Sequence, residues 1–257
     1  MKDSLKLLFI GNSFSEDTSR LMPAIALSLG IKQFKLCHLF SPGCSIPHHC
    51  IQLENDMPAY RRDLTDGAAP VTTHFFRART AIEEDQWDWI VIQHGTRDGS
   101  RNTDPASHEK LPQLIRQIRQ YAWPGAKVAF NMTWIGEPWH QHPEIVSYNG
   151  HQLLMYEKVA AIARDVLSPM AGLDLVCPTG TAIQNARALG LENLSRDGYH
   201  LSMDVGCYIA GLACLGALTG ANISNISWAP LGMDQTVQQR AVLAAANALK
   251  KPFEITL

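Results

Sequence analysis

No apolar run in these 257 residues approaches the roughly 20 residues a membrane-spanning helix needs, so no membrane partner is expected. A surplus of one charge sign is missing too. The 22 Lys and Arg stand against 24 Asp and Glu, giving a formal net charge of -2 and a sequence pI near 6.5. That balance leaves no electrostatic footprint for nucleic acid. Cysteine is sparse, six in all, with no C-x-x-C pair, which argues against a disulfide framework. Cys37, Cys44 and Cys50 fall close to His38, His48 and His49, but their spacings match no tetrahedral zinc pattern. Neither a metal nor another cofactor is expected. Several signatures are absent as well: no G-x-S-x-G elbow, no H-E-x-x-H, no G-x-x-x-x-G-K-[ST] loop and no strand-linked G-x-G-x-x-G.

What is present describes a protein with a substantial core. Hydrophobic residues make up 46% and charged residues 18%, which excludes a disordered chain. No repeat, low-complexity tract or linker divides the sequence, so residues 1–257 are expected to form one domain. Residues 5–10, 34–40, 87–93, 127–132 and 173–177 read as strands, and 18–29, 111–121, 153–167, 203–218 and 234–249 as helices. Near-continuous apolar strands between helices imply a parallel sheet covered on both faces, a three-layer α/β/α domain. Two stretches break the rhythm. Residues 45–85 read as an insertion over the carboxyl ends of the strands, and 134–149 as an irregular connection. Trp134, Trp139 and Tyr148 there fit either a sugar-stacking wall or loops packed onto the body. Arg61, Arg62 and Arg79 read as solvated. The apolar run before Gly11 reads as a first strand rather than a signal peptide, which makes the cytoplasm the expected location.

The chemistry-bearing residues sit at the two ends of the chain. The first strand breaks into Gly11-Asn12-Ser13, and a late loop reads Asp197-Gly198-Tyr199-His200. In an open parallel sheet, ligands bind outside the carboxyl ends of the strands, where Ser13 falls. Serine there is also a common helix cap, and Asp-Gly a common turn. Three-residue spacing lets the Asp197 carboxylate fold back onto Nδ1 of His200, leaving Nε2 to accept a proton. Ser13, His200 and Asp197 therefore offer a nucleophile, a base and a group that orients the base.

Gly11-Asn12-Ser13 followed by Asp197-x-x-His200 resembles the SGNH (GDSL-type) serine hydrolase superfamily, in a less characterised branch, over nearly the whole chain. The resemblance implies a flavodoxin-like α/β/α fold and hydrolysis of small acyl esters, acetyl esters of carbohydrates among them. It implies Ser13, Asp197 and His200 as catalytic residues and the Gly43 N–H as an oxyanion donor. Two positions depart from the family pattern. Asn12 replaces the usual Asp, and Gly95-Thr96-Arg97-Asp98 carries Arg97 where the family has an oxyanion Asn. Gln93, on the same strand face as Arg97, is the favoured replacement donor, a glutamine near this point being usual in the resembling branch; Arg97 itself is the alternative, or binds an anionic substrate group. Loss of such a donor typically costs about 2.7–4 kcal/mol of transition-state stabilisation. Weak catalysis, or a non-catalytic carbohydrate- or anion-binding module on the same fold, is the competing expectation. Cys44, beside Gly43, offers an alternative thiol nucleophile. A mononucleotide-binding flavodoxin-like protein would leave Asp197 and His200 without a role.

Overall fold

Along the first strand, Leu7 and Phe9 face one side and Leu8 and Ile10 the other, and all four are buried. A strand alternates its side chains between two faces, so both faces of this sheet must be covered. The computed structural model describes residues 3–67 and 69–257 and shows that arrangement. In chain order the elements are β1 (Ser4–Gly11), α1 (Ser13–Ser19), α2 (Met22–Ser28), β2 (Gln33–Phe40), α3 (Ile46–Glu54), β3 (Tyr60–Asp66), β4 (Val71–Phe76), α4 (Ala78–Glu83) and β5 (Trp89–Gln93). They continue as α5 (Leu111–Tyr121), β6 (Lys127–Asn131), α6 (Pro143–Ser147), α7 (Gln152–Ile162), β7 (Leu175–Cys177), α8 (Thr179–Ala188), α9 (Val205–Thr219) and α10 (Gln235–Lys250).

The seven strands lie in the order β4-β3-β2-β1-β5-β6-β7. β2, β1, β5, β6 and β7 are parallel, which is the flavodoxin-like order, and β3 and β4 extend one edge as an antiparallel hairpin. One layer of α1, α2, α8, α9 and α10 covers Leu7, Phe9, Val91 and Ala129; the other, of α3, α4, α5 and α7, covers Leu8, Ile10, Ile92 and Phe130. Each of the Leu, Phe, Val and Ile side chains among them adds about 1.5–3 kcal/mol when fully buried. The three-layer α/β/α domain expected from the sequence is the observed architecture.

The differences from the sequence reading have local causes. Residues 45–85 fold into α3, the β3–β4 hairpin and α4, and the hairpin pairs with the sheet edge instead of lying over the strand ends. The helix expected over 18–29 is two short helices, because α1 already begins at Ser13 and Pro23 fits the first turn of a new helix. Gly30 still ends α2, with φ +83. α8 escaped the pattern entirely. Its buried face mixes Ala182, Ile183 and Ala186 with polar residues: Thr179 Oγ1 donates to Asn131 Oδ1 at 2.6 Å, and Asn185 Nδ2 donates to the Ala244 carbonyl at 3.2 Å. Asn131 Nδ2 in turn donates to Thr18 Oγ1 at 3.1 Å, tying α1 to the central sheet. Arg62 is not solvated but pairs with Glu84 at 2.6 Å.

Candidate active site

Asn12 ends β1 and caps α1, its Oδ1 accepting the Phe14 N–H at 3.0 Å. That cap fixes the turn at whose exit Ser13 stands. The other atoms of Asn12 hold the neighbouring loops. Its Nδ2 donates to the carbonyls of Cys44 and His94, each at 3.3 Å, and its Oδ1 accepts from Gln93 Nε2 at 2.6 Å. The ends of β1, β2 and β5 are thus laced through one side chain. An aspartate could not donate to those two carbonyls, which accounts for Asn at this position. Gly95 is required for the same reason: a Cβ there would stand 1.9 Å from the Cys44 carbonyl oxygen and 2.6 Å from Asn12 Nδ2.

Ser13 Oγ meets His200 Nε2 at 2.9 Å, across 187 residues of sequence. His200 Nδ1 meets Asp197 Oδ2 at 2.7 Å. The second carboxylate oxygen of Asp197 accepts the N–H groups of Tyr199 at 2.8 Å and His200 at 2.7 Å. Burial pushes the Asp197 carboxyl up, but the hydrogen bonds from His200 and Tyr199 outweigh it and hold the group down at about 2. An ionised carboxylate only accepts, so the imidazole donates from Nδ1 and presents Nε2 as an acceptor to the Ser13 hydroxyl. Such an array can activate a serine for attack on an acyl carbon.

The loop that carries His200 is closed on itself and clamped from two sides. Ser195 and Leu201 form an antiparallel bridge, and the Arg196 N–H donates to the His200 carbonyl at 3.0 Å. From α1, the buried Asp17 accepts the Leu201 N–H at 2.9 Å and pairs with Arg196 Nη1 at 2.9 Å. Arg196 also donates to the Leu201 carbonyl. Burial raises the Asp17 carboxyl despite the opposing pull of Arg196. On the other side, the Tyr199 ring stacks against His142 at 4.7 Å and His140 at 5.1 Å between centroids. Trp134 Nε1 donates to the Tyr199 carbonyl at 2.9 Å, and Phe14 packs on Trp134, Tyr199 and the edge of His200. Trp134, His140 and His142 therefore buttress this loop, whereas Tyr148 packs against the other layer and Trp139, 64% exposed, lies over Gly198.

Of the sequence-predicted residues, Ser13, His200 and Asp197 come together directly. Gly43 and Arg97 adjoin one another at the same end of the sheet: the Arg97 N–H donates to the Gly43 carbonyl at 2.8 Å, and Gly43 adopts φ +59. The Arg97 side chain is exposed. Gln93 is buried behind Asn12, and its Oε1 has no partner among the described residues. Cys44 is fully buried, with its sulfur 3.5 Å from His49 Nδ1 and 3.6 Å from Gln52 Oε1, which removes it as an exposed nucleophile. Asp17 and Arg196 went unnoticed in the sequence. The only available signal was the spacing of Asp17, one helical turn beyond Ser13.

Residues 6–250 match the family described as "Domain of unknown function (DUF4886)", and the chain belongs to that family. It is similar to the crystal structure of a DUF4886 family protein from Bacteroides uniformis ATCC 8492. That likeness has 28% identity over 98% of this chain and 97% of that one, with a TM-score of 0.91. Two looser likenesses are LAE5, an alpha/beta hydrolase enzyme from the metagenome of Lake Arreo, Spain, and Axe2, an acetyl xylan esterase from Geobacillus stearothermophilus. The first has 14% identity, coverage of 83% and 94% of the two chains and a TM-score of 0.49. The second has 16% identity, coverage of 85% and 97% and a TM-score of 0.49. No curated protein matches the chain.

Proposed function

We propose that this member of the DUF4886 family is an SGNH-type serine ester hydrolase acting on small acyl esters, with acetylated carbohydrate as the leading substrate class. The carrying observation is the continuous line from Ser13 Oγ through His200 to Asp197, at 2.9 Å and 2.7 Å. Distant sequence segments converge there in the order a serine hydrolase uses.

The reaction is two-step acyl transfer. His200 Nε2 takes the Ser13 proton as Oγ attacks the ester carbonyl, and the carbonyl π pair moves onto oxygen. The oxyanion is held by the N–H groups of Ser13 and Gly43 and by a third donor. Collapse breaks the bond to the alcohol, which leaves with the proton from His200. Water, deprotonated by His200, then attacks the acyl-enzyme and releases the acid with Ser13 restored. Asp197 stays ionised throughout and stabilises the imidazolium. For the third donor, the geometry favours Arg97 over Gln93. Arg97 is exposed beside Gly43, whereas the Gln93 amide is buried and directed at Asn12.

Hydrolysis of p-nitrophenyl esters from acetate to octanoate tests the reading, with wild type beside Ser13→Ala and His200→Ala. Activity strongest on acetate and lost in both variants is expected, as is labelling of Ser13 by a fluorophosphonate. A folded wild type that neither hydrolyses any ester nor reacts at Ser13 would point to a binding module instead.

A further inference from the structure

β3 and β4 carry the sheet past the layer of α1 and α2, leaving one face of the hairpin uncovered. Side chains two residues apart share a strand face. This face presents His38 from β2, Arg61, Asp63 and Thr65 from β3, and Thr72 and His74 from β4. Glu16 and Arg20 wall it on the α1 side, and the whole forms a cleft of about 490 Å3.

The Arg61 end of the cleft lies in the strand row that leads to Ser13. Strand register sets Gly11, Phe40 and Arg61 in one row across three strands, and Ser13 follows Gly11 by two residues. Glu16 and Arg20 lie three and seven residues beyond Ser13, spacings that share a helix face. The row below holds Phe9, His38, Asp63 and Thr72.

The polar groups are paired in advance. Thr72 Oγ1 donates to Asp63 Oδ1 at 2.6 Å, Arg61 Nε to Asp63 Oδ2 at 2.8 Å, and Arg61 Nη2 to Glu16 Oε1 at 3.0 Å. The Arg61 guanidinium also lies 4.3 Å over the Phe40 ring. Arg20 and Arg61 are balanced by Glu16 and Asp63, so neither an anion nor a cation meets a surplus of countercharge. Burial, outweighing the nearby Asp63, pushes the His38 imidazole down to about 4 and keeps it neutral at physiological pH. A ligand suited to such a surface is neutral, extended and rich in hydroxyls that both donate and accept.

We infer that this cleft is a glycan subsite that holds the neutral sugar chain of an acylated oligosaccharide while its ester lies at Ser13. The inference rests on the ester-hydrolase reading of Ser13 and extends it to the part of the substrate that does not react. Binding energy gathered there would raise kcat/KM for oligosaccharide esters over simple ones.

The test compares wild type, Asp63→Ala and Thr65→Arg on p-nitrophenyl acetate, which has no sugar chain, and on partly acetylated xylo- and manno-oligosaccharides of about four to six sugars. Hydrolysis of p-nitrophenyl acetate is expected within about two-fold of wild type, with oligosaccharide kcat/KM at least about ten-fold lower, mainly through KM. Equal loss on both substrates, or loss on neither, overturns the subsite. Titration calorimetry with the same oligosaccharides on the Ser13→Ala protein, with and without the two cleft substitutions, reads binding without hydrolysis. Binding weakened at least about five-fold by the cleft substitutions is expected. Absent binding, or binding indifferent to both substitutions, overturns the subsite. Unchanged hydrolysis in Ser13→Ala would instead sink the catalytic reading and leave the titration to decide the cleft.

Discussion

The Asp17 carboxylate, buried one helical turn beyond Ser13, accepts the N–H of Leu201, the residue that follows His200. Ser13 and His200 are therefore positioned by the same short helix. Ser13 presents Oγ from its first residue, and Asp17 fixes the loop that brings the imidazole to it.

Asp17→Asn should expose this dependence. An amide has one acceptor oxygen, so it can serve Arg196 or the Leu201 N–H but not both, and its NH2 then faces a donor. Loosening the loop by about 1 Å is enough to cost on the order of 100-fold in rate. We expect kcat on p-nitrophenyl acetate to fall about 10- to 100-fold with KM within about three-fold, and fluorophosphonate labelling of Ser13 to slow in parallel. Unchanged kcat in a folded variant would show that the loop holds His200 unaided.

Asn12→Asp restores the residue usual in the resembling family, yet it should damage this protein. The two carbonyls of Cys44 and His94 would lose their donor and face a carboxylate oxygen instead. Buried acceptors stripped of a partner cost about 1–3 kcal/mol each. A lower urea midpoint and a loss of activity are expected together, because the same side chain caps α1 and holds the Gly43 and Gly95 segments. A variant as stable and active as wild type would mean that the neighbouring segments do not need the Asn12 amide.

The parallel core and the Asp197–His200 contact were legible because each has a local signature, and Ser13, 187 residues from His200, was joined to them through the family resemblance and its place at a strand end. Runs such as Ile90-Val91-Ile92 announce strands buried on both faces, and a three-residue Asp-to-His spacing dictates its own contact. The β3–β4 hairpin was less readable, since β4 is almost wholly exposed and carries no alternation of apolar and polar residues. α8 was hidden because buried threonine, glutamine and asparagine interrupt the short apolar set of Ala182, Ile183 and Ala186. Asp17 and Arg196 pair across 179 residues, and nothing local to either marks the other.

Neutral, buried His38 and His49 should draw stability down as the pH falls from about 6.5 toward 4, ahead of any titration at Asp197, while the burial-raised carboxyls of Asp17 and Glu144 work in the opposite direction. Burial pushes His38 down to about 4 and His49 to about 3 in the fold. Both return to about 6.5 when the chain unfolds. Within that window the unfolded state binds more protons, so acid favours it; above pH 6.5 both rings are neutral in either state and add no slope. Their combined effect is on the order of a few kcal/mol. Urea midpoints between pH 7.5 and 4.5 should show this loss, and His38→Gln should make it shallower. A slope identical in wild type and His38→Gln would mean that His38 takes up its proton in the folded state.

The third oxyanion donor separates Arg97 from Gln93 by the kind of damage each substitution does. Arg97 is exposed beside Gly43, so Arg97→Ala should leave the urea midpoint near wild type while lowering kcat about 10²- to 10³-fold, the usual loss for an oxyanion donor. Gln93 is buried against Asn12, so Gln93→Ala should lower stability as well as activity, by stripping a 2.6 Å donor from Asn12 Oδ1. If the donor is Gln93, the pattern changes: Arg97→Ala keeps its kcat on p-nitrophenyl acetate, and Gln93→Ala loses rate far beyond its loss of stability. Measuring kcat and urea midpoint side by side for both variants decides between them, because the donor's substitution costs far more rate than its loss of stability explains.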